Sequence, residues 1–188
     1  MLLFLTTLRH PHNVNDAARG EQLLAWTLAS VCAQTCPDFH VLVVANRPPD
    51  RRDWPAAVRA RTTVCTVRMP APSPRLSAGT DMHAVRRDRG TKLALGLLHP
   101  LAAGARHVMP FDADDFLSRD LCAWVAQRPE TAGWFVRDGF VMYGGQLAPL
   151  SPFNRYCGTC NIVSTALLTA PLRAAEPEIG VAAEGRYH

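Results

Sequence analysis

No apolar run in the chain approaches the roughly 20 residues that a bilayer-spanning helix requires, so no transmembrane segment is expected. Peripheral contact with a membrane stays open. A secretory leader is not expected either: Met1-Leu2-Leu3-Phe4-Leu5 is too brief for a signal core and has no basic lead, and Thr6, Thr7 and Arg9 follow at once. A buried first strand explains that run better. There is no concentrated basic stripe. The formal charge is +4 with a pI near 8.9, and the densest groups are Arg51-Arg52 and Arg86-Arg87-Asp88-Arg89. So scattered a set argues against a nucleic-acid partner and suits a small anionic ligand better. The chain has no internal repeat, and its one low-complexity patch is Pro70-Ala71-Pro72-Ser73-Pro74.

Six cysteines are present, but no leader accompanies them and the chain is not small, so a disulfide framework is not expected. Cys157-Gly158-Thr159-Cys160 is a C-x-x-C. It lacks the second pair of a zinc site, and it does not follow the first strand as a thioredoxin-like redox motif does. Ordinary thiols in a reducing cytoplasm are the favoured reading, and with them a cytoplasmic protein.

What is present is enough apolar residue for one core: 48% hydrophobic over 188 residues, one domain by length. Strand and helix signals alternate. Leu2 to Leu8 and Phe39 to Ala45 are continuous apolar runs of the kind buried on both faces of a parallel sheet. Between them, Asn15 or Asp16 is placed to cap a helix with Leu24, Leu28, Val31 and Cys32 on one face, and Trp26 widening it. A short helix around 55–60 and a strand over 62–67 follow, then a long loop over 68–87. A helix over 88–98 with Leu93, Leu97 and Leu98 inward, a strand over 106–111 and a helix from Ser118 to about Arg128 complete the alternation. After Gly133 the pattern changes to short antiparallel strands, with turns at Asp138-Gly139 and Gly144-Gly145. A last short strand over 161–163 and a helix capped by Ser164 close the reading. The fold class read from this is α/β: a mostly parallel sheet flanked by helices, with a smaller mixed or antiparallel C-terminal part.

The chemistry-bearing run is Phe111-Asp112-Ala113-Asp114-Asp115, directly after an apolar strand. Three carboxylates in four residues repel one another unless cations compensate. Ligands of open parallel sheets bind beyond the carboxyl ends of the strands. Hard divalent ions take such oxygen ligands and keep positions open for phosphate. A lone Asp there would be a turn or cap; three at a strand end favour a site.

Four features in order resemble the inverting GT-A fold glycosyltransferases of the family 2 type. They are the strand ending Thr6-Thr7-Leu8-Arg9, the helix end Leu28-Ala29-Ser30-Val31-Cys32-Ala33-Gln34-Thr35 leading to Asp38-Phe39, the helix start Asp88-Arg89-Gly90-Thr91-Lys92, and Asp112 to Asp115. The resemblance covers nearly the whole chain. It implies a single GT-A-like domain over 1–188, with a nucleotide-sugar-binding half over 1–115 and an acceptor-side half over 116–188 that is short for this fold. It implies that Thr7, Arg9, Asn46, Asp88, Lys92, Asp112 and Ala113 surround a nucleotide-sugar donor, Asp88 near base or ribose and Lys92 as a cation near phosphate. Asp114 is the implied ligand of Mn²⁺ or Mg²⁺, Asp115 an alternative ligand, and His188 a possible completion of the metal shell. Asn46 stands where an acidic residue usually meets the base, so uridine preference is not implied. His10-Pro11-His12 reads as a solvated or hydrogen-bonded loop and is left out of the metal site.

The expected activity is transfer of a sugar from a nucleotide diphosphate to the hydroxyl of a saccharide or other acceptor, with inversion. Such a transfer needs a carboxylate base. Asp138 is the one weak candidate, while Glu176, Glu178 and Glu184 read as surface acids and Arg155 as either a diphosphate contact or an exposed residue. The alternative is a non-catalytic module, or an inactive fragment, that binds nucleotide sugar or metal. A nucleotidyltransferase would want a glycine-rich loop after the first strand, and Thr6-Thr7-Leu8-Arg9-His10 has no glycine.

Overall fold

The computed structural model describes residues 1–72 and 81–174. Its main sheet has six strands: β1 (Leu2–Thr7), β2 (Phe39–Ala45), β3 (Thr62–Thr66), β4 (His107–Pro110), β5 (Gly133–Phe135) and β8 (Asn161–Ser164). The order across it is β3-β2-β1-β4-β8-β5. The first four are mutually parallel, while β8 runs antiparallel to both β4 and β5. A separate antiparallel ribbon is made by β6 (Gly139–Tyr143) and β7 (Gln146–Leu150). Helices α1 (Ala17–Val31), α2 (Ala56–Arg61), α3 (Met82–Leu98), α4 (Pro100–Ala103), α5 (Leu121–Ala126) and α6 (Thr165–Ala174) complete the described elements.

The apolar runs of β1 and β2 alternate between two cores, because successive side chains of a strand point to opposite faces. Leu2, Phe4, Val41, Val43 and Met109 meet Leu24, Leu28 and Val31 of α1 and Val125 of α5. Leu3, Leu5, Leu42, Val44 and Val108 face Leu95 and Leu97 of α3. Phe4 stands edge-on to both Phe39 and Phe111, at 5.8 and 6.3 Å between ring centres. Each such buried side chain contributes about 1.5–3 kcal/mol of transfer free energy. At Gly96, an added Cβ would lie 2.5 Å from Leu5 Cδ1, so α3 rests so close on β1 that any larger residue would make the Leu5 side chain shift.

Helix α1 starts where Asp16 accepts from the amide of Arg19. Its buried face is Leu24, Thr27, Leu28 and Val31, and Trp26 lies outside that face, exposed, with Arg19 over its ring. Three boundaries differ from the sequence reading. Helix α3 begins at Met82 rather than Asp88, because Asp81 caps it by accepting from the amide of His83. Helix α5 begins at Leu121 rather than Ser118. The carbonyls of Leu117, Ser118 and Arg119 accept from the Ser30 hydroxyl, the Gln34 amide and the Thr35 backbone N–H, which draws this segment to the end of α1, and the first helical bond runs from the Trp124 N–H to Asp120. Asp138-Gly139 is not a hairpin turn: β5 belongs to the main sheet and β6 to the ribbon, so residues 136–138 cross between them. The hairpin turn is Gly144-Gly145, both with positive φ (57° and 77°), as a two-residue connection demands. Because β8 and β5 extend the sheet begun by β1–β4, the two halves drawn at residue 115 share one sheet. Among the described residues no helix is long and apolar enough to cross a membrane.

Candidate active site

The chain runs β1, β2, β3 to one side of the sheet and then crosses to β4 on the other side of β1. That reversal opens a crevice at the carboxyl ends of β1 and β4, where open α/β sheets bind ligands. Thr7, Leu8 and Arg9 emerge from β1 there, and Asp112 to Asp115 from β4.

The loops after β1, β2 and β3 line an open pocket of about 520 Å³ that includes His10, His12, Asn46, Arg68 and Met69. Asn46 donates from Nδ2 to the Met69 carbonyl at 3.0 Å, and its buried Oδ1 has no partner among the described residues. One acceptor is therefore left over. His10 accepts the amide of His12 on Nδ1 at 3.2 Å. Burial, followed by the positive charge of Lys92, lowers the His10 pKa.

Asp88 and Lys92 are both on α3 but do not face the solvent. Lys92, the single lysine of the sequence, is 0% exposed. Its Nζ donates to Asp88 Oδ2 at 2.7 Å and to the Leu8 carbonyl at 2.9 Å. Burial lowers its pKa, and the Asp88 carboxylate opposes that shift. This corrects the expectation of a cation presented to phosphate: the ammonium is spent tying α3 to the loop after β1. Asp88 keeps one buried oxygen, Oδ1, without a partner among the described residues.

The three carboxylates of the acidic loop have separate surroundings. Asp112 is paired with Arg89 of α3 at 2.5 Å. Asp115 accepts at Oδ2 from the Thr159 hydroxyl at 2.5 Å and from Cys157 Sγ at 3.3 Å. Asp114 is exposed, with no ion pair or hydrogen bond to another side chain among the described residues. Desolvation by the surrounding chain, then the negative charges of Asp115 and Asp112, raises its pKa, with Arg9 acting against them. Ala113 turns inward and packs on the first core, which points its neighbours outward.

Among the described residues no three His, Cys, Asp or Glu side chains form a cage for a metal ion. A single unpaired carboxylate is nevertheless a fitting donor for Mn²⁺ or Mg²⁺, which are held by one or two carboxylates when phosphate oxygens supply the rest. Of the other expected residues, Thr7 is the last of β1 and partly buried, Arg155 is exposed in a single 3-10 turn over 153–155, and Asp138 is exposed ahead of β6. His188 and the acids Glu176, Glu178 and Glu184 lie outside the described residues. Sequence reasoning missed Arg89 and Thr159 as partners of the acidic loop. Arg89 stood inside a motif already singled out, whereas Thr159 was passed over between two cysteines.

No family model matches the chain, and no curated protein matches it. Among solved structures, Staphylococcus aureus TarS 1–349 aligns with a TM-score of 0.53 at 15% identity, over 95% of this chain and 49% of that one. The chain thus spans about half the length of TarS 1–349. The same TarS fragment in complex with UDP aligns at 0.49 and 15%, again over 95% and 49%. A 4-diphosphocytidyl-2C-methyl-D-erythritol synthase aligns at 0.46 and 15%, over 96% of this chain and 86% of that one. Likeness at this identity speaks for architecture and not for chemistry: with its 3-2-1-4 parallel strands and the antiparallel strand beside β4, the chain has a GT-A-like fold.

Proposed function

We propose that the chain is a nucleotide-sugar glycosyltransferase that binds a nucleoside diphosphate sugar across the crevice between β1 and β4, with a divalent cation on Asp114. The observation that carries this reading is the sorting of the acidic loop. Two of its carboxylates are engaged by Arg89 and by Thr159, and the third stands unpaired at the carboxyl end of β4, opposite Arg9.

In this reading the nucleobase enters the pocket after β1–β3. Asn46 offers its Oδ1 there as an acceptor and keeps the second hydrogen of Nδ2 beside the one given to Met69, so it suits a base edge that donates an N–H. Asp88 and Lys92 form the rigid wall beneath the loop after β1. Arg9 balances charge beside the diphosphate. The cation, when bound, screens the diphosphate and stabilises it as a leaving group. The ribbon β6–β7 exposes Phe140, Met142, Tyr143 and Leu147, an apolar surface on the acceptor side of the chain. Inversion at the anomeric carbon follows from the resemblance, and no base for the acceptor hydroxyl is assigned.

The second reading, a module that binds donor without transferring it, is favoured by one observation: Asp138 is exposed, and among the described residues its carboxylate has no hydrogen bond or ion pair, unlike a positioned base.

A thermal-shift and calorimetric screen of UDP-, GDP-, dTDP- and CMP-sugars with Mn²⁺ tests the donor site. Metal-dependent binding that disappears in Asp114→Ala is expected; equal metal-dependent affinity in that variant would sink the metal assignment. Nucleoside diphosphate release that rises with added acceptor separates the transferase from the binding module.

A further inference from the structure

The thiols of the Cys157–Cys160 turn are free, and among the described residues they belong to no group of three metal-ligating side chains. The turn meets the acidic loop because of topology. Strand β8 is antiparallel to β4, so the residues just before β8 arrive at the end of the sheet where β4 releases Asp112.

Thr159 is 3% exposed, and its hydroxyl makes two contacts. It accepts from the backbone N–H of Asp112 at 2.8 Å and donates to Asp115 Oδ2 at 2.5 Å. One proton and two lone pairs allow both at once. Cys157 Sγ approaches the same Asp115 oxygen at 3.3 Å, and the Thr159 N–H points back to that sulfur at 3.4 Å. Gly158 lies against the Arg89–Asp112 pair: a Cβ there would stand 3.4 Å from Asp112 Oδ2 and 3.5 Å from an Arg89 nitrogen, ordinary contact. The far end of the loop is held as well, by Ser30 at Leu117 and Gln34 at Ser118. The acidic loop is thus gripped from two sides, and Asp114 is the carboxylate left outside the grip.

We infer that Thr159, assisted by Cys157, is a positioning residue of the donor site: by engaging Asp115 and the Asp112 amide it withdraws one carboxylate and leaves Asp114 alone to face the cation of a nucleoside diphosphate. This rests on the metal and nucleotide reading above.

The test uses the full chain with Mn²⁺ and UDP as probes, and two readouts: paramagnetic resonance titration of Mn²⁺ in the presence of UDP, and hydrogen exchange of the Asp112 amide, which needs no ligand. Thr159→Val removes both hydroxyl contacts, and Thr159→Ser keeps them. The valine variant is expected to lose about tenfold in Mn²⁺ affinity, because the loop that carries Asp114 loses the hydrogen bonds that hold it on either side. Its Asp112 amide is expected to exchange faster, while the serine variant behaves as wild type on both counts. Asp115→Asn should keep Mn²⁺ affinity within about threefold, because that carboxylate is not a ligand, whereas Asp114→Asn should not.

Wild-type Mn²⁺ affinity in Thr159→Val overturns the inference alone. So does a loss in Thr159→Ser as large as in Thr159→Val, which would assign the effect to packing. So does a loss in Asp115→Asn matching that of Asp114→Asn, a comparison that holds even if the valine variant fails to fold. A wild-type chain that binds no Mn²⁺ with UDP overturns the donor-site reading itself, and the inference with it.

Discussion

Arg89 holds the carboxylate of Asp112 at 2.5 Å although 23 residues separate them. Both side chains are more than a third exposed, so the pair contributes at most about 1 kcal/mol to stability. Its weight is local: it places a positive charge beside Asp112, while the charge of Arg9 acts on Asp114.

Arg89→Ala is therefore expected to leave the denaturation midpoint almost unchanged and to alter ion binding. Removing the charge that offsets Asp112, whose carboxylate acts on Asp114, should tighten Mn²⁺ alone by about threefold and weaken UDP without metal by a similar factor in this water-exposed setting. Calorimetry with each ligand separately checks the opposite signs; changes of the same sign would contradict the assignment.

The Lys92–Asp88 pair behaves differently, because both members are buried. Lys92→Met strands a buried carboxylate and should cost about 3–5 kcal/mol, whereas the double substitution Asp88→Leu with Lys92→Met should recover most of it. Urea denaturation of the single and double variants measures this. A single-variant loss under about 1 kcal/mol would mean that the ion pair is not closed in solution.

Acid should weaken the fold through His40 and His99. Burial lowers both pKa values. The charge of Arg61 adds to the effect at His40, and His40 adds to it at His99. The unfolded chain takes up these protons near pH 6.5 while the folded chain resists them. Stability should fall as pH drops below that value and level off beneath the folded pKa. His40 bonds Thr63 at 2.9 Å, which a glutamine can imitate, so His40→Gln should flatten the slope of the urea midpoint between pH 7.5 and 5.5. An unchanged slope would remove His40 as a source.

The parallel half was legible because burial on both faces writes an unbroken apolar run, and β2 lies over Phe39–Ala45 as read. The acidic corner was legible because three Asp residues followed such a strand. Local signals failed where distant contacts decide. Ser118 has the chemistry of a cap, but its neighbourhood is claimed by Ser30, Gln34 and Thr35, some 84 residues earlier. Those three residues also carried the family resemblance, and their contacts are structural: they brace the segment after the acidic loop. Thr159 reaches Asp112 over 47 residues, and nothing beside it in the sequence marks that meeting. Lys92 misled because a lysine in a polar helix start reads as exposed, while Asp88 one turn earlier allows it to be buried.

The antiparallel placement of β8 also orders events in time. During synthesis β1 to β4 can pair as soon as residue 110 is available, but the residue that latches the Asp112 amide is made 47 positions later. Between those moments the ribosome carries a nascent sheet whose charged rim is already present and still unlatched. Ligand capture by chains stalled at successive lengths would then strengthen once Thr159 has cleared the exit tunnel. The proposed donor corner is in that sense a late-maturing feature, completed by the last strand of the described sheet rather than by the strands that display it.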